Sequence, residues 1–233
     1  MRRALIGLVL LSTSTLTAAD RLDTPWGTSH GDNHGTQRTT TPAGDWSAGI
    51  ELAWDFDTRA HGLDRVAARG PLTFDGAGNL YWITSVGTPD GHQVVASVSP
   101  AGALRWASAP LTRGGAYTQS AALVGLERVY AVGGGAGYDY DGDGTPGRQL
   151  LALDKSTGAT LWSLDLDGDW AGDGVVEHNL GGLGQNGPLT PVLSAGRLFV
   201  ALIGSAGLHL AQIDAATGAL QRCDLIDPAI TWG

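Results

Sequence analysis

Apolar residues along this chain come in short runs bounded by Gly, Pro, Asp and Ser, and the runs recur in a fixed order. Brief apolar stretches set between turn residues predict β-strands joined by tight connections. Three stretches can be laid over one another. They are residues 93–106 (QVVASVSPAGALRW), 149–162 (QLLALDKSTGATLW) and 209–222 (HLAQIDAATGALQR). Each reads as a strand, a turn closed by a glycine (Gly102, Gly158, Gly218) and a second strand. Ahead of each lie two more apolar stretches: 71–75, 120–124 and 188–193 first, then 79–84, 128–132 and 197–203. In the second set Tyr81, Tyr130 and Phe199 occupy matching places. Four short strands per unit, repeated about every 50 to 60 residues, predict an all-β protein built from four-stranded antiparallel propeller blades.

The turn chemistry supports the alignment. Asp154 and Asp214 can accept amide hydrogens from the residues that follow them, closing an Asx-type turn. The glycine then supplies the positive φ that returns the chain to a strand. Four residues past the glycine, Trp106 and Trp162 offer flat surfaces for packing between neighbouring sheets. The third copy has Arg222 at that place, and the ungapped alignment puts Val98 where the first copy should carry Asp.

The pattern LLALDKSTGATLW resembles the tryptophan-docking repeat of the PQQ-like (quinoprotein-type) β-propeller family. The earlier WGTSHGDNHGTQRTT, followed by IELAWDF, resembles that family's lead-in to the outer strand of a first blade. The resemblance runs from about Trp26 to Leu225. It implies a fold; family members include dehydrogenases, assembly scaffolds and exported proteins of other kinds, so it does not by itself imply an activity. On this reading the chain divides into a signal peptide at 1–19, a lead-in segment at 20–45 and propeller blades over 46–233. Within the last part, an outer strand lies at 46–57 and complete blades at 70–108, 119–165 and 187–225. Three blades and a partial one make an incomplete ring, and self-association is expected if the ring is open.

The N-terminus changes the expected location. Arg2 and Arg3 precede an apolar run, 4–11, which gives way to small residues ending at Ala18-Ala19. That order is a secretory signal with cleavage after Ala19, and the run is too short to span a bilayer. The protein is therefore expected to be exported, to the periplasm or beyond. Cleavage takes the formal charge from −9 to −11. Such an acidic chain carries no footprint for nucleic acid. Cys223 is the single cysteine, so no internal disulfide can form.

Candidate chemistry sits in long loops expected on one face of the propeller. In Asp139-Tyr140-Asp141-Gly142-Asp143-Gly144 alternating carboxylates precede a bend glycine, the first half of a calcium loop. A second loop places Asp165, Asp167, Asp169 and Asp173 at positions one, three, five and nine, with Trp170 where a bend glycine would stand. The alternative for both is a solvated Asp-Gly turn. Calcium is the candidate cofactor. Tyr138, Tyr140 and Trp170 beside the carboxylates are candidate contacts for a protein or glycan partner. His92 and His178, on loops of the same face, join them as candidate binding residues.

Three functions follow. The resemblance implies a PQQ-dependent dehydrogenase as one. The better-known enzymes of that kind use an adjacent Cys-Cys pair, and this chain has one cysteine and no CxxCH haem motif. PQQ is therefore not expected. A non-catalytic binding module, its acidic loops ordered by calcium, is the favoured expectation. An envelope assembly scaffold is the third.

Overall fold

A computed structural model describes residues 20, 55–63, 72–85, 93–111, 121–134, 148–174, 176–177 and 190–230. Twelve strands among these residues form three four-stranded antiparallel sheets, each in simple meander order. Blade 1 contains β1 (Thr73–Phe74), β2 (Leu80–Ser85), β3 (Gln93–Val98) and β4 (Leu104–Ala107). Blade 2 contains β5 (Leu123–Val124), β6 (Arg128–Gly134), β7 (Arg148–Asp154) and β8 (Thr160–Asp165). Blade 3 contains β9 (Val192–Ser194), β10 (Arg197–Gly204), β11 (Gly207–Asp214) and β12 (Leu220–Asp227). These sheets give the all-β blade architecture that the repeat predicts. Most of the outer strand expected at 46–57 lies outside the described residues. Its end, Asp55–Asp57, leads into a short 3-10 helix, Thr58–His61, capped by the Asp57 carboxylate on the Arg59 amide.

Register shows that the three blades are copies of one design. Tyr81 pairs with Ser97, which pairs with Trp106; Tyr130 pairs with Ala152, which pairs with Trp162; Phe199 pairs with Gln212, which pairs with Arg222. Because side chains alternate across a strand, each trio lies on one face of its sheet. The trio of blade 1 packs into an apolar core shared with blade 2, where Tyr81, Ile83, Val95 and Trp106 meet Val129, Ala131 and Leu153. The trio of blade 2 faces blade 3 in the same way, with Tyr130 and Trp162 against Leu198, Val200 and Ile213. Blade 1's opposite face carries Trp82, Val94, Ala96 and Val98, covered by Leu63 and Phe56.

The hairpins close as the sequence predicts in two blades and differently in the third. Asp154 Oδ1 accepts the amides of Ser156 and Thr157, and Asp214 Oδ1 those of Ala216 and Thr217. In both, the glycine amide donates to the carbonyl of the aspartate, four residues back. In blade 1, however, Gly102 donates to Ser99, three residues back, and Ser99 Oγ accepts the Ala103 amide. The turn is one residue shorter there, so the aspartate's counterpart is Ser99 and not Val98. Val98 stays in the strand, fully buried.

Candidate functional site

Of the candidate residues, Asp165, Asp167, Asp169, Trp170 and Asp173 are described. Tyr138, Asp139, Tyr140, Asp141 and Asp143 lie outside the described residues, as do His92 and His178.

The described loop leaves β8 and folds on itself. Gly168 and Glu177 form an isolated antiparallel bridge, each donating its amide to the other's carbonyl. Within this narrow hairpin the carboxylates cap backbone. Asp165 Oδ1 accepts the Asp167 amide, Asp169 Oδ1 that of Asp173, and Asp169 Oδ2 that of Gly174. Among the described residues no three His, Cys, Asp or Glu side chains form a group that could hold a metal ion. Trp170 is half-buried against the core between blades 2 and 3. Its indole Nε1 would lie 3.2 Å from a Cβ at Gly168, so the glycine makes room for the ring.

One residue at the hairpin's base did not stand out in the sequence. Glu177 is fully buried. Its Oε2 accepts the amides of Trp170 at 2.7 Å and Ala171 at 3.2 Å, and its Oε1 has no hydrogen-bond partner among the described residues. A Cβ at Gly204 would stand 3.3 Å from Glu177 Cγ and Oε1, so this glycine on β10 admits the side chain. Glu177 therefore holds the tip of the loop from beneath. The sequence signal was a glutamate closing an aspartate-glycine run, hidden among seven more conspicuous aspartates. Burial pushes the Cys223 thiol up to about 11, and the negative charges of Glu177 and Asp224 add to the rise.

The same carboxylate-to-backbone economy recurs at the blade junctions. Asp75 is 5% exposed; its Oδ1 accepts the amides of Ala77 and Asn79, while its Oδ2 accepts Asn79 Nδ2 and the Tyr81 hydroxyl. Lys155 of blade 2 lies 3.7 Å from Oδ2. Burial pushes the Asp75 carboxyl up, but the Asn79 bonds, the Tyr81 hydroxyl and the Lys155 charge outweigh it and hold it below the ordinary aspartate value. Arg105 donates to both Tyr81 Oη and Ser97 Oγ at 2.9 Å.

A family model described as outer membrane protein assembly factor BamB matches residues 90–221, more than half of the chain and a span running from β3 into β12. The chain belongs to that family. Among solved structures, the quinohemoprotein alcohol dehydrogenase of Comamonas testosteroni superimposes with a TM-score of 0.52 at 18% identity. That match covers 85% of this chain and 26% of the dehydrogenase. BamB from Moraxella catarrhalis matches with a TM-score of 0.39 at 14% identity, over 70% of this chain and 48% of that one. The first likeness shows the propeller fold and no more; the second is too loose to add to it. The chain spans about a quarter of the dehydrogenase's length and about half of BamB's. None of the curated proteins matches it. Within the BamB-like family this chain retains the quinoprotein type of blade. No helix among the described residues is long and apolar enough to cross a membrane.

Proposed function

We propose that this chain is an exported, non-catalytic propeller module that holds a protein partner during assembly in the cell envelope. The family match from β3 into β12 carries this reading, since the matched family is described as an outer membrane protein assembly factor. The chemistry of the described loop agrees with it. Carboxylates at Asp165, Asp169 and Glu177 accept the loop's own amides and so give a rigid acidic projection, the kind of surface that recognises a partner. On this reading the partner is an extended segment of an envelope β-barrel protein, met by the acidic loop face. Calcium held by Asp139, Asp141 and Asp143 orders the neighbouring loop, and Tyr138 and Tyr140 supply apolar contact.

The test is direct binding by the full chain. Fragments of an unfolded outer-membrane β-barrel protein, and separately a panel of oligosaccharides, are passed over immobilised protein with millimolar calcium and with chelator. Saturable binding of the fragments, weakened by chelator and by replacing Asp139, Asp141 and Asp143 with Ala, supports the proposal. Binding of oligosaccharides alone overturns it in favour of a glycan module. Reduction of a dye by an alcohol in the presence of added PQQ and calcium overturns its non-catalytic part. Export is checked by N-terminal sequencing of the protein from the periplasmic fraction, with Asp20 as the expected first residue.

A further inference from the structure

We propose that the junction of blades 2 and 3 contains a carboxylate-binding slot whose resident ligand is Asp20, so that this residue is clasped across two blades that follow it in sequence. Blade 2 lacks a group that blade 1 carries. In blade 1, β1 and β2 pair Thr73 with Tyr81 and Phe74 with Leu80; in blade 2, β5 and β6 pair Leu123 with Tyr130 and Val124 with Val129. This register makes Gly125 the counterpart of Asp75. Blade 1 satisfies its buried tyrosine hydroxyl with its own Asp75, at 2.8 Å. Blade 2 has a glycine there, and no side chain of its own to do the same.

Asp20 fills that place. Its Oδ2 accepts the Tyr130 hydroxyl at 2.6 Å and its Oδ1 accepts the Leu126 amide at 2.9 Å. A Cβ on Gly125 would stand 2.7 Å from Asp20 Oδ2 and 2.8 Å from Oδ1. The carboxylate thus occupies the volume a side chain at position 125 would take, and the glycine is what leaves it open. The Asp20 carbonyl accepts the Gly196 amide at 2.8 Å, from the turn between β9 and β10. Gly196 in turn accepts the Ala215 amide, and Ala215 offers its carbonyl to Tyr130 Oη at 3.2 Å. One residue therefore bonds to blade 2 through its side chain and to blade 3 through its backbone. It is 7% exposed. A buried carboxylate bonded in this way is costly to remove, because the phenol and amide it served lose their acceptor.

The ligand class is an acidic side chain, and the selectivity is steric as well as polar, since only a glycine at 125 admits it. This inference does not rest on the proposed partner, and its readouts do not involve one.

Three variants of the full chain test it by amide hydrogen exchange and thermal melting. Asp20→Ala is expected to speed exchange of the Leu126 and Gly196 amides at least tenfold and to lower the melting temperature. Adding Gly125→Asp, which gives blade 2 a carboxylate beside its tyrosine as in blade 1, is expected to recover part of the lost melting temperature while Gly196 stays fast. Tyr130→Phe keeps the ring packed and is expected to loosen both amides by itself. It decides the matter should Asp20→Ala fail to fold. Unchanged exchange at Leu126 and Gly196 in Asp20→Ala or Tyr130→Phe overturns the proposal, as does failure of Gly125→Asp to recover any of the melting temperature lost in Asp20→Ala.

Discussion

The indole of Trp106 lies directly over Gly158, so closely that a Cβ on the glycine would stand 2.5 Å from the ring atom Cε3. The ring's Nε1–H donates to the Lys155 carbonyl at 3.0 Å, in the same turn. Trp162 repeats the arrangement one blade later, over Gly218, with its Nε1–H 3.3 Å from the Ala215 carbonyl. Blades 1 and 2 therefore each seat one aromatic plate on the hairpin turn of the following blade. At Gly158 and Gly218 two demands coincide: φ is +75° at both, and there is no room for a side chain.

Replacing Gly158 or Gly218 with Ala combines left-handed strain with overpacking against the indole. The expected loss is on the order of 2 to 4 kcal/mol. Gly62 separates the two causes, since its φ is +70° but nothing lies within 4 Å of its missing Cβ. Gly62→Ala is expected to cost only about 1 to 2 kcal/mol. Urea denaturation of the three variants measures this. Equal losses at all three positions would show that the indole contact contributes nothing.

Alkali should weaken the blade 1–blade 2 junction. Burial first, then the bond to Asp75 and that carboxylate's charge, together raise the Tyr81 hydroxyl from 10.0 to about 12 against the opposing Arg105. A raised folded-state value means the folded protein holds this proton more tightly. The associated stability is complete below pH 10 and is lost as pH climbs toward 12. Two units correspond to about 2 to 3 kcal/mol. Tyr130 is shifted in the same direction, by burial and by Asp20. Urea melts at pH 8, 10 and 11.5 should show falling stability, with a shallower fall in Tyr81→Phe. A flat profile would refute the coupling.

The blades were legible because everything that makes one is local. Asp154, Gly158 and Trp162 fall within nine residues, and each acts on its near neighbours or on the equivalent turn of the next copy. Ser99 was misread by one position because a serine hydroxyl can cap a shorter turn as an aspartate does a longer one. Asp20 and Glu177 were not legible for a different reason. The first serves a tyrosine 110 positions away, and the second gains its meaning from Gly204, on a strand of another blade. Repeat periodicity says nothing about either. The aspartates at 165–173 drew attention by spacing, yet in the folded loop Asp165 and Asp169 serve backbone amides.

Glu177→Ala removes the acceptor of two amides beneath the acidic loop. It should open the Gly168–Glu177 bridge locally, at a cost of about 2 to 4 kcal/mol. Amide exchange at Trp170 and Ala171 should accelerate together, and the fluorescence of Trp170 should shift toward that of a solvated indole. If those two amides stay protected, the bridge is held by something other than the carboxylate.

Cys223 offers an independent probe of the same carboxylate. With its thiol raised from 9.0 to about 11, the thiolate population at neutral pH is about a hundredfold below that of an ordinary cysteine. Iodoacetamide should label it correspondingly slowly. Glu177→Gln removes one of the negative charges responsible, so labelling should quicken and its pH midpoint should fall. A midpoint unmoved in Glu177→Gln would place the charge effect on Asp224 alone.

The seat of Asp20 also dictates an order of events as the chain is made. Hairpins such as β7–β8 join neighbours in sequence and can form within microseconds, as soon as their residues are available. Asp20 precedes all of these strands, yet it has nothing to grip until Tyr130 and Gly196 have been laid down. A residue made before any of the described strands is therefore among the last to find its place. Until blade 3 exists the seat of Asp20 is incomplete, and its docking ties the Leu126 and Tyr130 side of the junction to the Gly196 turn.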